Sequence, residues 1–316
     1  MKALSIFFLT FLLMVGGVHA QGNSAIFDRG LGQVQSKEYL AAIATFSEFA
    51  KREPTEPAAP FNIGLCYYSL ERYGEALPYF EKTAQLKPDY ADAYVYIGHT
   101  LDSIGRYNEA VAAYSKALDI EPRNASIYLE LGLAHLKQKK YSAAAAAYEK
   151  CSELDTTNDR CLASLGRVYN SEGKFMEARR VLTRSLELNG SNAQTYFELG
   201  NAYYNDGLYA ESTKPYKKAV ELSPKFKTAL RYLADAYANL HDNDLAIATY
   251  EQAVSIDPKF SGAIFGLGRV YIAQRSKEKA MLQVNRLRPI DAAKADELLK
   301  AVQTAFGATP LAVSRP

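Results

Sequence analysis

Nucleophiles, bases and metal ligands are sparse in this chain. It holds four histidines and three cysteines in 316 residues. Beyond the first twenty residues the histidines are His99, His135 and His241, too widely separated to share one local ligand motif. No H-E-x-x-H, C-x-x-C, G-x-S-x-G or G-x-x-x-x-G-K string occurs, so the common signatures of zinc hydrolysis, dithiol exchange, acyl transfer and phosphate cradling are all missing. Gly266-Leu267-Gly268 follows no strand-like run and is no nucleotide loop. No enzymatic activity, cofactor or metal is expected. The cysteines leave one redox expectation. Cys151 and Cys161 lie ten residues apart, one ending a predicted helix and the next opening just before the other. In an oxidising compartment they would form a disulfide, if their Cα atoms come within about 7 Å; otherwise they are small core residues standing in for alanine. Cys66 reads as a buried free thiol.

The elements that must position any site repeat every 34 residues. Glycine recurs at Gly30, Gly64, Gly98, Gly132, Gly166 and Gly200, gives way to Ala234, and returns at Gly268. Proline keeps the same frame at Pro54, Pro88, Pro122, Pro224 and Pro258. Thr156 and Gly190 occupy the other two slots of that frame; chance would place about 0.3 of the chain's prolines in the seven, and five are there. An aromatic opens a second run at Tyr39, Tyr73, Tyr107, Tyr141, Phe175 and Tyr209. Three residues on comes a small residue, as at Ala76 and Ala110, and four further on a large one, as at Phe46, Phe80, Tyr114, Tyr148, Leu182, Tyr216 and Tyr250. Spacings of three and four put these on one helical face. Each period is therefore two short amphipathic helices and two turns, with the glycine and the small residue allowing close approach and proline ending the second helix. Pro78 and Pro215 fall inside predicted second helices and should bend them.

This pattern resembles the tetratricopeptide repeat (TPR) family. The resemblance covers residues 23–294 as eight units beginning at Asn23, Pro57, Ala91, Ala125, Asp159, Ala193, Lys227 and Ser261. It implies an all-α, right-handed solenoid. Ala295, Leu298, Val302 and Phe306 fall three or four apart, which predicts a capping helix over 290–306, followed by a loose tail over 307–316. No helix is long enough to be stable alone in water, so stability must come from stacking.

What the resemblance implies about binding is an inward groove lined by the first helix of each unit, at slots 2, 5, 6, 9, 12 and 13. Those slots hold Tyr96, His99 and Asp102 in the third unit and Glu130 in the fourth. The fifth supplies Arg160, Arg167 and Asn170; the sixth Phe197, Glu198, Asn201, Tyr204 and Asn205; the seventh Arg231, Tyr232, Asp235 and Asn239. An asparagine amide donates and accepts together, so such a row can pair with the backbone of an extended peptide whatever its sequence. The row from Asn170 to Asn239 is similar to the asparagine ladder of the O-GlcNAc transferase superhelix. The Lys and Asn pair with which cochaperone TPR domains clamp a C-terminal carboxylate is missing from every unit, so heat-shock chaperone tails are not expected partners.

The N-terminus adds a compartment. Met1-Lys2 is followed by an uncharged run, Ala3 to Val18, ending Val18-His19-Ala20 before Gln21. That is the form of a secretory signal cut between Ala20 and Gln21, the alternative being a retained anchor. No cysteine follows the cut, which argues against a bacterial lipid anchor. A periplasmic or secreted location is expected, with no membrane insertion after cleavage. With 37 basic and 35 acidic residues the chain shows no nucleic-acid signature. The expected function is an extracytoplasmic adaptor holding an extended protein segment. The alternatives are a structural or oligomeric spacer working through its convex face or ends, and an accessory subunit of an envelope assembly, export or cell-wall complex.

Overall fold

The computed structural model describes residues 21–307. The signal-like segment with Ala20, and the tail beyond 307, lie outside the described residues. Among these there are seventeen α-helices and no strand. Two compact units divide at Asp155/Thr156. The first contains α1 (Gln21–Gln35), α2 (Tyr39–Arg52), α3 (Ala58–Ser69), α4 (Tyr73–Leu86), α5 (Ala91–Ser103), α6 (Tyr107–Ile120), α7 (Ala125–Lys137) and α8 (Tyr141–Leu154). The second contains α9 (Asp159–Ser171), α10 (Phe175–Leu188), α11 (Ala193–Asn205), α12 (Tyr209–Leu222), α13 (Lys227–Asn239), α14 (Asn243–Ile256), α15 (Ser261–Ala273), α16 (Lys277–Leu287) and α17 (Ala292–Phe306). Within each unit every helix packs on its successor, and in the second unit some first helices also pack side by side, as α9 does with α11 and α13 with α15. The fold is an all-α solenoid of repeats.

The second-helix core slots form its spine. Phe46, Phe80, Tyr114, Tyr148, Leu182, Tyr216 and Tyr250 are all buried to within 2%. Each of the first six lies against the repeating glycine of its own first helix, where an added Cβ would intrude on the ring or branched carbon. The seventh pair differs. Ala234 occupies the glycine slot, and Tyr250 lies instead against Gly266 of the next first helix. The skipped glycine is thus compensated by one two residues before the usual slot.

Two residues beyond each first helix lies a residue with positive φ, again 34 apart: Lys37, Glu71, Gly105, Lys139, Gly173, Gly207, His241 and Arg275. The residue after it donates its N–H back across the turn, as Arg106 N does to Leu101 O (2.8 Å) and Leu208 N to Tyr203 O (3.0 Å). This left-handed closure satisfies carbonyls left open at a helix end. Asn124, Asn158 and Asn192 cap α7, α9 and α11 from the other end. Pro78 and Pro215 each lie within an unbroken helix, and Pro215 is buried.

At the C-terminal end α17 packs on α15 and α16, burying Ala295, Leu298 and Val302. Cys66 is a buried free thiol, and burial pushes its pKa up to about 12. Cys151 in α8 and Cys161 in α9 are each fully buried.

Candidate functional site

The residues predicted to line the groove are all carried on first helices, and most are held by bonds inside the protein. In the first unit Tyr96 stacks on Phe80 (5.2 Å between centroids) and meets Phe61 edge-on at 5.4 Å. His99 lies 5.8 Å from Tyr96 and 5.6 Å from the ring of Tyr114. The Tyr114 hydroxyl and His99 Nδ1 are 3.1 Å apart, and Glu130 Oε2 is 3.9 Å from the same nitrogen. Asp102 pairs with Lys137 on α7.

In the second unit Asn170 Nδ2 donates to the backbone oxygen of Glu198 (2.9 Å), joining α9 to α11. Glu198 also accepts from Gln194 (3.0 Å) and Asn201 (3.2 Å). Asn239 donates to the Tyr204 hydroxyl (3.1 Å) and to Asp235 O (2.8 Å), joining α13 to α11. Arg231 pairs with Asp235 (2.6 Å) and lies 3.8 Å above the ring of Tyr232. Phe197 is buried among Tyr216, Phe226 and Tyr232. Three of the four ladder asparagines therefore hold neighbouring groups of the protein itself. Asn205 is exposed on the last turn of α11 and carries no side-chain hydrogen bond among the described residues.

A rule explains several of the polar groove residues. Fifteen residues before a buried tyrosine of the second helix sits the groove slot that receives its hydroxyl. Tyr216 donates to Asn201 Oδ1 (2.9 Å), Tyr250 to Asp235, and Tyr114 pairs with His99. Where the core residue has no hydroxyl, as at Phe46 and Phe80, the slot holds Leu31 and Leu65. Tyr148 has Leu133 at that position, so the relation is a tendency with one departure. A buried hydroxyl needs a partner, which gives His99, Asn201 and Asp235 a structural reason to be polar. Arg167 sits at the same slot over Leu182, which offers it nothing to bond. Arg160 and Arg167 are exposed, and their guanidinium groups make no hydrogen bond or ion pair among the described residues.

Two features escaped the sequence reading. Arg269, at the corresponding slot of the eighth unit, is also exposed without such a partner. The aromatic cluster of the first unit, Phe61, Tyr68, Phe80 and Tyr96, recurs four repeats later as Phe197, Tyr204, Tyr216 and Tyr232, with matching stacked pairs. Alignment of the two halves at that offset would have revealed it.

Burial lowers the His99 pKa, against the upward pull of Glu130 and Asp102 and with a smaller downward push from Lys137. Burial likewise lowers His135, helped by Lys140. An imidazole lowered in the fold leaves the unfolded chain binding more protons. Stability is then complete above the ordinary histidine range, near 6.5, and falls as pH drops toward the folded value. A fall in melting temperature between pH 7.5 and 5 is therefore expected. His99→Asn, which copies the arrangement at Asn201, should keep an acceptor for Tyr114 and flatten the fall, with His135 supplying the remainder. An identical pH profile in the variant would remove His99 from the account.

The matching family models agree with the helix pairs. One, described as the Cilia and flagella-associated protein 70 C-terminal domain, matches residues 15–223, and a tetratricopeptide repeat model matches residues 240–305. The chain belongs to the tetratricopeptide repeat family. Its members bind proteins or peptides and are generally non-catalytic interaction modules. Among solved structures this TPR chain is similar to YrrB, described as a TPR protein with an unusual peptide-binding site (24% identity, TM-score 0.51, 58% of this chain and 95% of that one). It is also similar to Pseudomonas aeruginosa pilF (18%, 0.58, 67% and 97%). The likeness to a chain of the APC/C hetero-tetramer Cut9-Hcn1 (15%, 0.59) covers 90% of this chain and 57% of that one. These likenesses are of fold. No curated protein matches the chain. Among the described residues no helix is long and apolar enough to cross a membrane, and no group of three or more His, Cys, Asp or Glu is placed to hold a metal ion.

Proposed function

We propose that this TPR protein is a non-enzymatic adaptor that holds an extended segment of a partner protein along its first-helix faces. The observation that carries the reading is the aromatic row present in both units. Tyr68 and Tyr96 in the first, and Tyr204 and Tyr232 in the second, are half-buried on inward slots, each ring held by contacts with its neighbours. Rings already fixed by neighbours offer apolar contact at little further entropy cost. YrrB, of like fold, is described by a peptide-binding site, which is consistent with this use of the fold. The signal-like start supports placing the adaptor outside the cytoplasm.

The test fills each face in turn. Ser103 and Asn205 are exposed at the same slot of their units, near Tyr68 and Tyr204 respectively. Ser103→Trp and Asn205→Trp should leave helicity unchanged, and at least one should reduce recovery of the wild-type partner about tenfold. Equal recovery by both variants would move the function to the convex face or the ends and favour a spacer. The N-terminal residue of the protein recovered from the cell envelope tests the location: Gln21 supports it, and retained Met1 on cytoplasmic protein overturns it.

A further inference from the structure

We infer that the first-helix face of the second unit is selective for an extended segment bearing Asp or Glu carboxylates; the inference rests on the groove reading above. The near-neutral whole chain conceals a separation of charge. The inward slots of the first unit carry Asp28, Asp92, Asp102 and Glu130 against one lysine, Lys137, which Asp102 already holds. Those of the second carry Arg160, Arg167, Arg231 and Arg269 against Glu198 and Asp235.

The two acids of the second unit are engaged. Asp235 takes Arg231 and the Tyr250 hydroxyl, and Glu198 takes Asn170, Asn201 and Gln194. That leaves Arg160 and Arg167 on α9 and Arg269 on α15 exposed with no hydrogen bond or ion pair, although Arg269 is near enough to Asp235 to act on its charge. The same slot that receives tyrosine hydroxyls elsewhere carries two of these arginines, with no intramolecular bond to account for their type. A guanidinium presents a planar fork matched to a carboxylate. First helices lie about 8–10 Å apart, and an extended chain advances about 3.3 Å per residue. A strand of about ten residues can therefore reach from α9 to α15 and meet all three.

The experiment uses the purified protein and two labelled peptides of about ten residues, one of Glu, Ser and Gly and the other with Lys in place of Glu. Wild type should bind the acidic peptide at least about tenfold more tightly, with the preference shrinking as salt rises. Arg160→Gln, Arg167→Gln and Arg269→Gln together should weaken the acidic peptide about tenfold and leave helicity intact. All three positions are exposed, so the variant is expected to fold. Equal affinity for the two peptides, a Lys preference, or an unchanged triple variant overturns the charge assignment. If the variant binds the acidic peptide weakly yet still recovers the cellular partner undiminished, the charge assignment to that partner is also overturned. The groove reading is judged apart from all of these, by the tryptophan substitutions.

Discussion

Gly200→Ala is expected to destabilise the protein by about 2 kcal/mol, although alanine is the better helix former. Gly200 lies within α11, where the loss of glycine alone would favour the helix by roughly 0.5–1 kcal/mol. The new Cβ would intrude on the ring of Tyr216, which is fully buried. That ring cannot withdraw freely. Tyr232 stacks on it at 6.0 Å, Phe197 lies 5.9 Å away, and its hydroxyl is tied to Asn201. Overpacking of this kind costs about 1–3 kcal/mol, sometimes more, so it outweighs the propensity gain. Gly32 is the control. It lies inside α1, and a Cβ added there meets nothing within 4 Å. Gly32→Ala should therefore stabilise by about 0.5–1 kcal/mol. Denaturant midpoints at equal slope check both. A Gly200→Ala protein as stable as its parent would mean that the glycine frame records ancestry and not packing.

The same contacts show which features a sequence can reveal. The repeating glycine, the small residue and the core aromatic were legible because each must recur wherever one helix pair stacks on another. The left-handed turn was not, because Lys37, Glu71, Gly105, Lys139, Gly173, Gly207, His241 and Arg275 share a backbone angle and no side-chain chemistry. Ala234 looked like a lapse in the frame. Its compensation by Gly266 depends on which way the Tyr250 ring leans, and that direction follows from packing. The groove residues were legible as positions. Their partners were not: Asn201 and Asp235 read as ligands for a peptide, and each also holds the hydroxyl of a core tyrosine fifteen residues later. The recurrence of that spacing was present in the sequence, and only the hydrogen bonds gave it meaning. Arg160, Arg167 and Arg269 emerge by contrast, as the polar residues that the internal network leaves over.

Asp235 offers the second large effect. Its side chain is 18% exposed and faces Tyr250, itself 2% exposed, as well as Arg231. Asp235→Ala would leave the Tyr250 hydroxyl buried without its acceptor, at about 1–3 kcal/mol, and deprive Arg231 of its partner. A total loss of about 3 kcal/mol is expected. Asp235→Asn should behave differently. It keeps an oxygen for Tyr250, as Asn201 does for Tyr216. Burial raises the Asp235 pKa despite the opposing effects of Arg231, Tyr250 and Arg269, so the charged form gains nothing from the fold overall. The Asn variant should then lie within about 1 kcal/mol of the parent at neutral pH. The sign of the shift gives a further check. An acid raised by folding contributes stability below the ordinary Asp range and loses it as pH rises through the folded value. The parent should accordingly gain on the Asn variant as the pH is lowered toward 4. A double-mutant cycle of Asp235→Ala with Tyr250→Phe isolates the pair, because removing the hydroxyl removes the need for an acceptor. The combined loss should fall short of the sum by about 1–2 kcal/mol. Strict additivity would show that the hydroxyl is satisfied without Asp235, and that the carboxylate stands free to meet a partner.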